Sequence, residues 1–132
     1  FLRSRIRKLL INLDKEGLKF NKFYLTLKNL SKSDQVIEFY VDKNILENSK
    51  YFEKDKKIIL NQSFFNNPEE IILRSIMQVI KRISWKKNYP RGKKVNSLID
   101  SIKFSNKNVK LTLSGCIIEK IQDSVIIYPE KR

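Results

Sequence analysis

At 132 residues, 41% hydrophobic and 32% charged, the chain is long enough for one domain with one modest core and too apolar to be disordered. It has no histidine and one cysteine, Cys116, which removes the commonest general base and metal ligand, a cysteine-based zinc site and any internal disulfide. The net charge of +14 is uneven: residues 1–30 carry +6, residues 31–70 carry −2 and residues 71–132 carry +10, a bias that points to a polyanionic partner.

Leu2 to Leu13 reads as a helix with Leu2, Ile6, Leu9, Leu10 and Leu13 on one face, closed by Asp14-Lys15-Glu16-Gly17 with Gly17 as a left-handed cap. The charged opening Phe1-Leu2-Arg3-Ser4-Arg5 is not read as a signal peptide, and no apolar run is long enough to span a membrane. A cytoplasmic setting is therefore expected, and the start at Phe1 rather than Met implies a longer protein. Arg3 and Arg7 flank the apolar stripe on one side and Arg5 on the other. Either they snorkel from a surface helix, or the helix is wedged between two bodies with arginines reaching both.

Asn21 caps a second, longer helix to about Asn48, with the stripe Phe23, Leu27, Leu30, Ile37, Val41 and Ile45 and room for a break at Ser31-Lys32-Ser33-Asp34. Its aromatics, Tyr24, Phe39 and Tyr40, read as packing rather than as a base-stacking platform. Lys50–Phe52 and Lys57–Leu60 read as a short hairpin, and Gln62–Asn67 as a connector.

The stretch from Ile71 to Ile99 holds eight basic residues and no acid. Asn67 as cap, Pro68 at the first helical position and Glu70 three after the cap predict a helix of about five turns. Ile72, Leu73, Ile76, Val79, Ile80 and Ile83 form its apolar stripe, opposite Arg74, Gln78, Lys81, Arg82 and Trp85. Lys86-Lys87-Asn88-Tyr89-Pro90 ends it and leads into the basic turn Tyr89-Pro90-Arg91-Gly92-Lys93-Lys94. Trp85 reads either as buried at the helix end or as a stacking surface.

Lys93 to about Lys103 forms another short helix, with Val95, Leu98, Ile99 and Ile102 inward. Two strands follow, Val109–Ile121 with a bulge or close approach at Gly115, and Ser124–Tyr128. The expected class is α+β: a helical bundle with long amphipathic helices plus two short β-hairpins, the last at the C-terminus, in one region over residues 1–132 that is mainly helical to residue 48.

Catalytic machinery is missing. Gly17, Gly92 and Gly115 are isolated, so no phosphate-cradling loop exists, and no carboxylate pair or Ser-Lys arrangement can be picked out. Cys116, in Gly115-Cys116-Ile117-Ile118, reads as a small buried residue. The chain binds and positions rather than reacting alone. Arg74, Lys81, Arg82, Arg91, Lys93 and Lys94 are the expected contacts to nucleic-acid backbone. The other reading makes the central helix a basic amphipathic anchor on a membrane surface or acidic protein, with Trp85 on the wrong side for a lipid anchor.

Two stretches carry a resemblance. Arg3-Ser4-Arg5-Ile6-Arg7-Lys8-Leu9-Leu10 is similar to the arginine-rich helix that follows the catalytic domain of bacterial tRNA(Ile)-lysidine synthases. Leu111-Thr112-Leu113-Ser114-Gly115-Cys116-Ile117-Ile118, followed by Ile126-Ile127-Tyr128, resembles the glycine-cysteine hairpin closing shorter members. Between them, Arg74 and Tyr89-Pro90-Arg91-Gly92-Lys93-Lys94-Val95 sit where that family has its central helix and proline-basic turn. Ser4, Lys8 and Ser114 depart from the family's usual Asn, His and Gly, so of these the arginines alone transfer.

The resemblance implies an enzyme that adenylates the wobble cytidine of tRNA(Ile) with ATP and Mg, after which the side-chain amine of free lysine displaces AMP. That chemistry belongs to an N-terminal ATP pyrophosphatase-type domain with a Ser-Gly-Gly-x-Asp-Ser loop, absent here. This chain would then be the C-terminal tRNA-binding part of the ligase, with no cofactor of its own and with tRNA(Ile) and the catalytic domain as partners. Arg3, Arg5 and Arg7 would bind tRNA, Arg5 and Arg7 lying beside the active site.

Overall fold

Asp14 and Gly17 set the first break in the chain. Helix α1 (Leu2–Lys15) closes where Gly17, at φ +99°, donates its N–H to the Asp14 carbonyl at 3.1 Å. Helix α2 (Phe20–Asn48) then runs unbroken through Ser31–Asp34. The hydroxyls of Thr26 and Ser33 bond back to the carbonyls of Lys22 and Asn29 at 2.9 and 3.1 Å, so these polar residues are absorbed into the helix.

The computed structural model describes residues 2–17, 20–87 and 89–131, and the chain divides into two compact units, Phe1–Val36 and Ile37–Arg132. In the first unit no described residue is buried: Leu2, Leu9 and Leu30 are 70%, 61% and 59% exposed. The packing expected for Tyr24, Phe39 and Tyr40 is corrected, since all three are exposed and the last two touch only edge to face at 5.4 Å. Along α2 burial begins in the second unit, at Val41 and Asn44.

The second unit is built on a sheet. Strands β1 (Ser49–Phe52), β2 (Lys57–Leu60), β3 (Val109–Leu113), β4 (Cys116–Ile121) and β5 (Ser124–Pro129) form one five-stranded antiparallel sheet of order β1-β2-β5-β4-β3. The class is α+β as expected, with the two hairpins fused: Ile58 pairs with Ile127 and Leu60 with Val125 across β2 and β5. The single strand expected over Val109–Ile121 is two strands. Ser114 and Gly115 both have positive φ, +49° and +79°, which makes a two-residue hairpin turn; of the bulge or close approach expected at Gly115 the close approach is found, a Cβ there lying 3.1 Å from Trp85 Nε1.

Helices α3 (Glu69–Ile83) and α4 (Gly92–Phe104) lie on one face of this sheet. Ile72, Ile76, Val79, Ile80 and Ile83 of α3 and Val95, Leu98, Ile99 and Ile102 of α4 close on Ile58, Leu60, Cys116, Ile118, Val125 and Ile127. Each such buried side chain contributes about 1.5–3 kcal/mol as an upper estimate. An amide cluster ties α2 to this core. The Asn44 side chain donates to the Phe64 carbonyl (3.3 Å) and Ser75 Oγ (3.2 Å), and accepts from Asn48 (2.9 Å) and Asn67 (3.0 Å).

That cluster explains one correction. Asn67 does not cap α3: no side-chain hydrogen bond caps the helix, and the Asn67 amide is oriented instead by its NH2 group, which donates to Asn44 Oδ1 and to the Ser63 and Phe64 carbonyls. Pro68 occupies the cap position, its carbonyl accepting from Ile72 at 3.1 Å. The helix also ends sooner than expected. Ser84 turns extended (φ −66°, ψ 142°) and its hydroxyl bonds to the Ser114 carbonyl, so α3 has 15 residues and stops at Ile83. Asn88, expected in the terminating segment, lies outside the described residues.

Candidate nucleic-acid interface

The buried isoleucine stripe of α3 leaves its other side facing outward. Arg74, Gln78 and Lys81 follow one another there at helical spacing, Arg74 and Gln78 half-buried and Lys81 exposed. Arg74 Nε donates to Glu70 Oε1 at 2.9 Å, an i,i+4 ion pair that fixes the guanidinium along the helix and offsets part of its charge. Tyr89 folds back onto this side. Lys81 Nζ lies 4.0 Å from the centroid of its ring, and Tyr89, Arg74, Met77 and Gln78 together line a cleft of about 230 Å³. Pro90, the next residue, is buried and anchors the turn.

The basic turn continues from there. Arg91 is exposed and stands at the cap of α4, its carbonyl accepting from Lys94 and Val95 at 3.0 and 3.1 Å. No acid occupies the first turn of α4, which carries Lys93 and Lys94 instead. Exposed N–H groups and two ammonium groups therefore face the same solvent. Lys94 also borders a groove of about 360 Å³ between α4 and strand β3, with Ser97, Ser101 and Thr112.

Of the residues expected to grip a polyanion, the structure gathers Arg74 and Lys81 around Tyr89, with Arg91 two positions further on and Lys93 and Lys94 in the following turn. Arg82 is turned away from them: its guanidinium lies 4.1 Å from the ring of Tyr51, on β1. Trp85 is not on the α3 face, since it follows the helix end. Its indole Nε1 would lie 3.1 Å from a Cβ on Gly115, so it packs on the β3–β4 turn while 42% exposed, with Lys86 Nζ 5.5 Å from the ring. Arg3, Arg5 and Arg7 belong to the first unit, all on α1 and all exposed.

Sequence reasoning did not bring Tyr89, Met77 and Gln78 together as the lining of one cleft. The signal was present in part, as an aromatic beside proline inside the basic turn. The apolar face of α3 is consumed by the core, which leaves it none to insert into a bilayer, and among the described residues no helix is long and apolar enough to cross a membrane.

Other titratable groups lie elsewhere. Burial pushes the Cys116 thiol up to about 11, and its Sγ sits 3.6 Å from the Ile80 carbonyl, as an inert buried residue. On the open face of the sheet the Tyr128 hydroxyl donates to Glu119 Oε1 at 2.5 Å. That bond holds the carboxyl below its usual range and the phenol above its own. Among the described residues no three cysteine or acidic side chains gather as a metal site. Compared with known protein families, with curated proteins and with solved structures, the chain matches none.

Proposed function

We propose that this chain holds a folded RNA by its backbone, as the tRNA-binding part of a tRNA(Ile)-lysidine synthase lying after the catalytic domain. One observation carries the reading: the side chains of Arg74 and Lys81 converge on Tyr89, from which Arg91, Lys93 and Lys94 continue within a stretch that has no acid from Ile71 to Ile99. Arginine forks and lysine points at this spacing suit phosphates. The resemblance of the arginine-rich first helix and of the last hairpin to the lysidine ligases narrows the RNA to tRNA(Ile). ATP with Mg, free lysine and the chemistry belong to the neighbouring catalytic domain, in the cytoplasm, and this chain alone is inactive. Arg3, Arg5 and Arg7 bind the tRNA as well, Arg5 and Arg7 beside the active site of that domain.

The test is binding of the full chain to tRNA(Ile), followed by fluorescence anisotropy across a salt series. Affinity falls steeply with salt, log K against log salt having a slope of several units. The double variant Arg91→Glu, Lys94→Glu weakens binding by about tenfold or more and flattens that slope by about two units. Unchanged affinity in the double variant refutes the interface. Equal affinity for tRNA(Ile) and unrelated tRNAs refutes the lysidine assignment and leaves the RNA-holding role.

A further inference from the structure

The cleft beside Tyr89 differs from a plain phosphate-binding surface. Its lining residues are Tyr89, Met77, Gln78 and Arg74, which bring an aromatic ring, a thioether, a primary amide and a guanidinium to one cleft, and the Lys81 ammonium lies 4.0 Å from the centroid of the Tyr89 ring. A phosphate needs only the cations. An aromatic face, a polarisable sulfur and a primary amide are what a planar heterocycle needs: stacking surface on two sides, and a group that both donates and accepts along its edge. At about 230 Å³ the space is smaller than the ~300–1,000 Å³ of pockets for drug-sized ligands, a size suited to one ring system. Tyr89 is 51% exposed, so the ring is accessible, and the buried Pro90 beside it limits the freedom of the turn that carries it.

We propose that this cleft seats one unpaired nucleobase with its adjoining phosphate. The base lies between Tyr89 and Met77, its edge is met by the Gln78 amide, and the phosphate is met by Lys81 and Arg74. The inference rests on the RNA reading above and deepens it. The recognised feature is a base displaced from its stack, which a grip on duplex backbone alone would not distinguish.

The test compares three probes with the full chain: a fully paired RNA duplex, the same duplex with a short single-stranded tail, and free adenosine monophosphate. The tailed duplex binds about tenfold more tightly than the blunt one, within the range of one base–aromatic stack. Tyr89→Ala abolishes that preference, so that tailed and blunt duplexes bind equally, and Tyr89→Phe retains it. Gln78→Leu keeps the stack and alters which base is preferred in the tail. A circular-dichroism melt confirms that each variant is folded. Adenosine monophosphate binding that depends on Tyr89, with no gain from the tail, assigns the cleft to a free nucleotide and supports the base-and-phosphate chemistry. Equal loss on both duplexes in Tyr89→Ala, or an undiminished tail preference, overturns the cleft assignment while the RNA-holding role stands. Absence of binding to any RNA by the unaltered chain overturns both.

Discussion

Asn44 offers the sharpest test of how the second unit is held together. Its side chain is 2% exposed and takes part in hydrogen bonds with the Phe64 carbonyl, Ser75 Oγ, and the Asn48 and Asn67 amides. Asn44→Ala removes all of these. Most of the partners keep a second bond: the Phe64 carbonyl retains Asn67, and Ser75 Oγ retains the Ile71 carbonyl at 2.6 Å. The loss is therefore one of bonds made rather than of groups orphaned. At about 0.5–1.5 kcal/mol net per bond, less what relaxation and water recover, the variant loses ~3 kcal/mol. For a unit of this size that lowers Tm by roughly 12–24 °C. Urea unfolding followed by circular dichroism measures the change, with the m-value unaltered. A loss below about 0.5 kcal/mol would refute the cluster as a structural tie.

Asn44→Asp adds a pH signature. The new carboxyl is buried and faces the Phe64 carbonyl, so its pKa in the folded state rises above the unfolded value. Stability is then retained in acid, where the carboxyl is protonated and can donate, and is lost as pH rises through the folded pKa. A variant that grows more stable from acid to neutral pH would contradict that geometry.

Two more outcomes follow from the turn and the thiol. Gly115→Ala places a methyl at φ +79°, 3.1 Å from Trp85 Nε1 and 3.2 Å from Ser84 Oγ, and costs about 1–3 kcal/mol. Because Trp85 is the single tryptophan, its fluorescence shifts in the same variant, and an unchanged emission spectrum would show that the indole does not rest on this turn. Cys116, with its thiol pushed up to about 11, stays unreactive toward a chromogenic disulfide reagent at pH 8 in the native protein and reacts at once in urea. Fast native labelling would mean that the core around Ile80 opens readily.

The parts of this fold written in local periodicity were readable from the chain. The isoleucine stripe of α3 and the Val95, Leu98, Ile99, Ile102 stripe of α4 are buried as their spacing implies. So is the Lys57–Leu60 strand, where alternate residues Ile58 and Leu60 face the core. What escaped depends on distant partners. Asn67 has the right type and position for a cap, yet a buried amide on α2 claims its side chain. Ser114 hid the β3–β4 turn, since a serine with positive φ inside an apolar run carries no glycine-pair signal. Consecutive isoleucines, Ile117-Ile118 and Ile126-Ile127, mask alternation by placing one apolar side chain on each face of the sheet. For the interface, charge placement along α3 and the proline turn was legible. The return of Tyr89 onto Met77 and Gln78 was not, because it depends on the path of the turn between the helices.

The final strand lies at the middle of the sheet, bonded to β2 on one flank and β4 on the other. The earliest hairpin therefore lacks its permanent neighbour until the last residues of this stretch are in place. Pairing across more than sixty residues, Leu60 to Val125, is slow compared with hairpin closure. Until β5 is in place, β1–β2 and β3–β4 are two separate ribbons with no pairing between them. Consolidation of the sheet thus waits on the docking of β5 between β2 and β4.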